Sequence, residues 1–268
     1  MTRCDSWERA DRACEFAPVT VALRHFFGLR TSSRGGVTSL ALGMFHPAMG
    51  RSIARVFAAL AMVFTLSSCG GDDASTFPPG LAPLETSTAQ RPMATAGQTC
   101  PEAFNVVTGD TGGYSFGHGR GCIHGTISEV WAALRDPEVA VDRRRVGEFT
   151  VTRNVEPEYP VSYRVHNIVH DIIDIEFDLT WRLGPLDGTL DEPRVVAARY
   201  QKTYGSTYIE VLEGSIVARP LDTGVVEIEV VRHLKGTGVG QAEIDQYLRD
   251  YFASVVARVH GMPLPRYN

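Results

Sequence analysis

Few positions in this chain carry residue types at spacings that can do covalent or metal chemistry, and the most specific is a cysteine. Leu66-Ser67-Ser68-Cys69 matches the bacterial lipobox, in which the cysteine is acylated and becomes the first residue of the mature protein. Upstream lie Arg51 and Arg55, then the apolar run Val56 to Leu66, then small residues: the parts of a secretory leader. That run is 11 residues long, whereas a helix needs about 20 to cross a bilayer. The pattern predicts a cleaved, lipidated leader rather than a transmembrane anchor. One acyl chain attaches only marginally, at roughly 0.8 kcal/mol per buried CH₂, so a durable anchor needs more than one chain on Cys69.

After Cys69 the chain holds two more cysteines, Cys100 and Cys122, an even pair for an oxidising compartment. A disulfide between them closes a loop of about twenty residues, worth roughly 3 kcal/mol in the chain-entropy account. Two free thiols or a redox pair are the alternatives. The enclosed segment is glycine-rich and offers little to pack.

Two histidine patterns invite a metal reading. His118, Cys122 and His124 are close in sequence, but a disulfide removes the thiolate, and the glycines around His118 read as an exposed loop. His166 and His170 have a zinc-like spacing only on a helix. On a strand they stand roughly 13 Å apart, too far to share an ion ligated at about 2 Å. Neither a metal nor a cofactor is expected, and residues 100–268 contain no phosphate-binding glycine loop and no Gly-x-Ser-x-Gly elbow.

The elements that must position any site follow from periodicity. Thr126 and Glu129 form a capping-box pair ahead of Ile127, Val130, Trp131 and Leu134 at helical spacing, and Pro137 ends that helix or opens a short second one. Strands are predicted near Phe149–Val155, Val161–His170, Ile173–Leu183, Val195–Tyr204, Tyr208–Ala218 and Val225–Lys235. Turn signals separate them at Gly184-Pro185, Gly205-Ser206 and Asp222-Thr223-Gly224. The alternation Ile173-Ile175-Phe177-Leu179-Trp181-Leu183 is the clearest, apolar on one face and polar on the other. A long amphipathic helix, about Gln241 to His260, closes the chain, with Gly261 at its end. The fold class is therefore α+β, a sheet with a helix packed on it.

Residues 1–48 precede the leader and show no useful periodicity, which points to a start at Met44 or Met49. Residues 49–68 are the signal peptide and 69–99, rich in Gly, Pro, Ser and Thr, read as a flexible tether. The folded domain occupies 100–268. From Cys69 onward 18 Lys and Arg face 27 Asp and Glu, a net charge of −9 that argues against nucleic acid. Arg143-Arg144-Arg145 is the local exception, a solvated loop or a contact for anionic headgroups.

The run Thr126-Ile127-Ser128-Glu129-Val130-Trp131-Ala132-Ala133-Leu134, followed by Asp136-Pro137, resembles the opening of the START/polyketide-cyclase (SRPBCC) superfamily. The element order extends the resemblance over about 113–261. It implies a helix-grip fold, a curved antiparallel sheet of about six to seven strands around the C-terminal helix, with its first strand within Gly113–Gly125. It also implies a cavity for a hydrophobic ligand between sheet and helix, with enzymes a minority of such proteins.

Inward polar side chains are then the ligand-orienting candidates: Tyr163, Asn167, Tyr200 and Arg232, with Phe177, Trp181, Tyr251 and Phe252 as apolar wall. The facing of Glu210 and Glu213 is ambiguous. The expectation is a lipid-anchored envelope protein facing the periplasm, on the outer rather than the inner membrane because Gly70 follows Cys69. It binds a hydrophobic or lipid-like small molecule. The alternatives are a cyclase or dehydratase using Arg232 or a tyrosine, and an interaction module whose cavity is filled.

Overall fold

The structure is a computed structural model that describes residues 74–267. The upstream start, the leader and Cys69 lie outside the described residues. Eleven elements follow in chain order. They are β1 (Phe104–Asp110), β2 (Ser115–His124), α1 (Ile127–Leu134), α2 (Pro137–Ala140), β3 (Glu148–Arg153) and β4 (Val161–His170), then β5 (Asp174–Gly188), β6 (Pro193–Gly205), β7 (Ile209–Asp222), β8 (Val225–Gly236) and α3 (Gln241–Val259). The strands form one antiparallel sheet in the order β1-β2-β8-β7-β6-β5-β4-β3, and α3 packs on β1, β2 and α1. This is the helix-grip architecture.

Each helix has a local cause. At α1 the Thr126 hydroxyl accepts from the Glu129 N–H while Glu129 accepts from the Thr126 N–H, and Val130, Trp131, Ala133 and Leu134 are buried. At α2 the Asp136 carboxylate accepts from the Glu138 N–H and Pro137 sets the first turn. Helix α3 stops at Gly261, whose φ of 65° lies in the left-handed region, and the Met262 N–H reaches back to Ala257 O.

Strand β2 explains why so glycine-rich a stretch is a strand. Gly117 and Gly121 meet α3 while Gly119 meets the Phe104 ring, and a Cβ at Gly117 would lie 2.1 Å from Ile244 Cγ2 and 2.9 Å from Leu248 Cδ1. The helix seats where side chains are missing.

Four expectations are corrected. The sheet has eight strands rather than six or seven, because Phe104–Asp110 pairs along β2 as an edge strand, and Phe104 stacks on Phe252 with centroids 4.7 Å apart. The enclosed segment therefore has a partner to pack on. Gly184-Pro185 is not a turn: β5 runs through it with a register shift between Pro185 and Asp187, and the chain reverses later, where the Thr189 N–H bonds Glu192 O. His118 is not in an exposed loop but on β2, 3% exposed.

The fourth correction is the tether. Residues 75–92 cross the outer face of the sheet as a strap. The Ser75 N–H bonds Thr203 O on β6, the Leu84 N–H bonds Ser215 Oγ on β7, and Ser87 Oγ donates to Gly119 O on β2. Arg182 donates to Phe77 O and Pro78 O, pairs with Glu156, and lies 3.6 Å from the Phe77 ring centroid. Buried outer-face polar groups need partners, and the strap provides them. The domain thus begins by Ser75, not at residue 100.

Sγ of Cys100 and Sγ of Cys122 are 2.07 Å apart, with Cα atoms 6.1 Å apart, which ties the end of this N-terminal segment to β2. The basic triplet is ion-paired: Arg143 with Glu138, Arg144 with Asp250 and Arg145 with Glu243. That pairing removes the free cationic patch a headgroup contact would use.

Candidate functional site

One register row across the inner face builds the site. Tyr163 on β4 pairs with Trp181 on β5, Trp181 with Tyr200 on β6, Tyr200 with Gly214 on β7, Gly214 with Arg232 on β8, and Arg232 with Gly117 on β2. The three aromatic rings stack in turn, at 5.9 Å for Tyr163–Trp181 and 4.3 Å for Trp181–Tyr200. The row then has no side chain at Gly214, where a Cβ would lie 2.2 Å from the Tyr200 ring. Tyr200 leans into that gap, and Arg232 Nη1 donates to its hydroxyl at 3.3 Å.

Arg232 is fixed from above by Tyr247 of α3, whose ring centroid lies 3.6 Å from the guanidinium carbon. The side chain is 6% exposed and its Nε has no hydrogen-bond partner, while the Asp142 carboxylate acts on its charge from the cavity rim without a direct contact among the described ion pairs. Arginine stays protonated in proteins. Burial raises the Tyr247 and Tyr200 phenols above their ordinary range, so both face the guanidinium as neutral rings.

Above this floor opens a cavity of about 220 Å³ between β4, β5, β7, β8, the connection after α2, and the start of α3. Phe177, Leu179, Leu212 and Leu234 give it apolar walls. Asn167, 2% exposed, joins Arg232 as a polar lining group and spends its amide N–H on Val165 O and Phe177 O. The rim carries Asp142, Asp171, Arg145 and Glu243. Arg145 pairs with Glu243 at 3.2 Å, and Asp142 accepts from the Arg144 and Arg145 N–H groups.

Of the expected site residues, Asn167, Phe177 and Arg232 line the cavity together, and Tyr200 enters through its bond to Arg232. Tyr163, Trp181, Tyr251 and Phe252 belong to the packed core. Glu213 bonds His233 on the outer face and Glu210 pairs with Lys235, so neither acid reaches the cavity. His166 and His170 face outward to Asp178 and Asp174, each at 2.8 Å. The sequence does not single out Tyr247, which there is one more member of the apolar stripe of α3.

The outer face also carries a hollow, lined by Arg91, Arg120, Arg219, Glu227 and Glu229. These charges already pair among themselves, Arg91 with Glu227 at 2.6 Å and Arg120 with Glu229 at 2.9 Å. It is a solvent-facing ion network.

No protein-family model matches the chain, and no curated protein matches it. Solved structures are similar at low identity. Human StAR-related lipid transfer protein 5 is 15% identical, with 63% of this chain and 86% of that chain covered and a TM-score of 0.42. A STAR-related lipid transfer protein from Xanthomonas axonopodis is 10% identical over 61% of this chain and 95% of that one, with a TM-score of 0.42. The Zhui aromatase/cyclase from Streptomyces sp. R1128 is 12% identical over 59% and 93%, with a TM-score of 0.38. At these scores no ligand or residue role transfers, and the helix-grip assignment rests on the strand order and the seat of α3.

Proposed function

We propose that this domain is a non-covalent carrier of one small apolar molecule, held in the cavity between sheet and α3 with its polar end on Arg232. The observation that carries this reading is the combination of an apolar-walled space and a buried, incompletely bonded cation on its floor. Small-molecule sites usually measure about 300–1,000 Å³. A space of about 220 Å³ suits a single chain or small ring system better than a two-chain lipid.

An acid–base enzyme has less support. Tyr247 is a neutral phenol, Glu243 is tied to Arg145, and Asp142 is engaged by backbone N–H groups. The open space also disfavours an interaction module with a filled interior.

In this reading the carrier is anchored by acylated Cys69, on the outer membrane and facing the periplasm, as the lipobox and Gly70 favour. Six residue steps separate Cys69 from Ser75, where the strap meets β6. Fully extended they span roughly 20 Å. Such a domain sits close to its membrane instead of standing off on a long tether.

The test is native mass spectrometry of the full chain, extracted in detergent from the envelope of a bacterial host. The carrier reading expects an adduct of small-lipid size that is lost on denaturation. A clean protein mass, together with no uptake of an apolar fluorophore in titration, contradicts it.

A further inference from the structure

We infer that the ligand is an amphiphilic monoanion, an apolar body ending in one carboxylate, with Arg232 as its counter-ion. This rests on the carrier reading and deepens it.

The argument begins with what a buried guanidinium requires. It has five N–H donors and cannot lose its proton. Here one bond goes to Tyr200 and a ring covers one face, while Nε has no partner. Leaving such a group unpaired away from water is costly, and a planar carboxylate matches the guanidinium fork.

The surrounding charges set the valence. Asp142, Asp171 and Glu243 stand at the partly exposed rim, with Arg145 already committed to Glu243. Asp142, partly buried at the rim, already offsets part of the Arg232 charge. One cation beneath three rim carboxylates favours a single negative charge and disfavours a dianionic phosphate. The spaces at the flanking Gly117 and Gly214 are taken by Ile244 and by the Tyr200 ring, so Arg232 meets the cavity from a packed floor. The cavity size limits the apolar part to one short chain or a small ring system.

The experiment is a binding series on the full chain at pH 8, with octanoate, 2-naphthoate, 1-octanol, octylammonium and octyl phosphate as probes. Octanoate or 2-naphthoate is expected to bind about ten- to a hundred-fold more tightly than 1-octanol, the scale of a charge-assisted hydrogen bond. Tighter octanoate marks a fatty-acid-like ligand and tighter 2-naphthoate an aromatic acid. Octyl phosphate and octylammonium are expected to bind more weakly than the carboxylates.

In R232Q that preference should fall below about three-fold, and an undiminished preference in folded R232Q overturns the assignment of Arg232 as counter-ion. R232K, which keeps the charge without the fork, should fall between. The wild-type series is decisive even if R232Q does not fold. Equal or tighter binding of 1-octanol in the wild type overturns the monoanion inference and leaves the carrier reading standing. Binding of none of the five probes, nor of an apolar fluorophore, overturns both.

Discussion

Glu85 Oε1 lies 2.8 Å from His233 Nε2, joining the strap to β8 beside the Leu84 N–H bond to Ser215 on β7. The same oxygen is 2.8 Å from His118 Nε2 on the neighbouring strand. His118 Nδ1 faces the Thr88 N–H at 3.1 Å. A backbone N–H can only donate, so this ring accepts at Nδ1 and donates from Nε2. His233 Nδ1 faces Glu213 at 3.1 Å, and Tyr114 stacks on the ring. With a carboxylate at each nitrogen, the protonated His233 ring donates to both, and the neutral ring to only one.

A pH window for the strap follows. Burial opposes the charge on His233, but hydrogen bonds to Glu213 and Glu85 outweigh it and raise its pKa above 6.5. Its contribution is complete below 6.5 and is lost as pH rises through the raised value. For Glu85, burial is again the largest opposing effect, and the two histidines hold its pKa below 4.5. Its contribution is complete above 4.5 and is lost as pH falls through the lowered value. Hydrogen-exchange protection of residues 75–92, corrected for intrinsic rates, should peak between about pH 4.5 and 6.5. E85Q should flatten that profile, and an unchanged profile in E85Q sinks the latch.

Two tyrosines in one row should respond in opposite ways to loss of their hydroxyls. Tyr163 Oη is buried with no partner, whereas Tyr200 Oη accepts from Arg232. Removing an unpaired buried hydroxyl costs nothing or stabilises, while removing the acceptor of a buried cation destabilises. Urea midpoints should place Tyr163→Phe at or above the wild type and Tyr200→Phe about 1–3 kcal/mol below it. The reverse order contradicts the described row.

The seat of α3 on β2 predicts intolerance at Gly117. Gly117→Ala places a methyl 2.1 Å from Ile244 Cγ2, and such overpacking costs about 1–3 kcal/mol. Combining it with Ile244→Ala should shrink the added cost, as expected for residues in contact. Additive effects in the double variant argue against this packing.

Cys100 and Cys122 close a loop with a sequence separation of 22, so Cys100→Ser with Cys122→Ser should lower stability by about 2–4 kcal/mol. The native mass of the wild type, compared with its reduced form, should be lighter by two hydrogens. Equal masses would leave the pair reduced.

Much of this was readable from periodicity, and the reasons are physical. Only one face of the sheet is predominantly apolar, so alternation survives in β4, β5 and β8 and points Asn167, Phe177 and Arg232 inward. Arg232 stands out because it interrupts Val226, Ile228, Val230 and Leu234 on one face. The strap was illegible because its bonds run from backbone and side chain to a crossing sheet, with no ladder to impose a period. It covers the outer face, so His118 is buried there although its glycine-rich neighbours suggest a loop. Strand β1 depends on the stacking of Phe104 on Phe252, a contact between distant parts of the chain that no local pattern encodes. Tyr247 was hidden because a helix stripe does not say which of its rings will face a cation.

The most direct test of the carrier reading is to fill the cavity and ask whether binding is lost. Titration of an apolar fluorophore into the full chain, wild type beside Val239→Trp and Leu212→Trp, measures this, since both residues line the cavity. The reading predicts saturable uptake by the wild type and at least about a ten-fold weaker affinity in both variants, with unchanged circular dichroism. Undiminished binding in correctly folded variants would place the ligand elsewhere and contradict it.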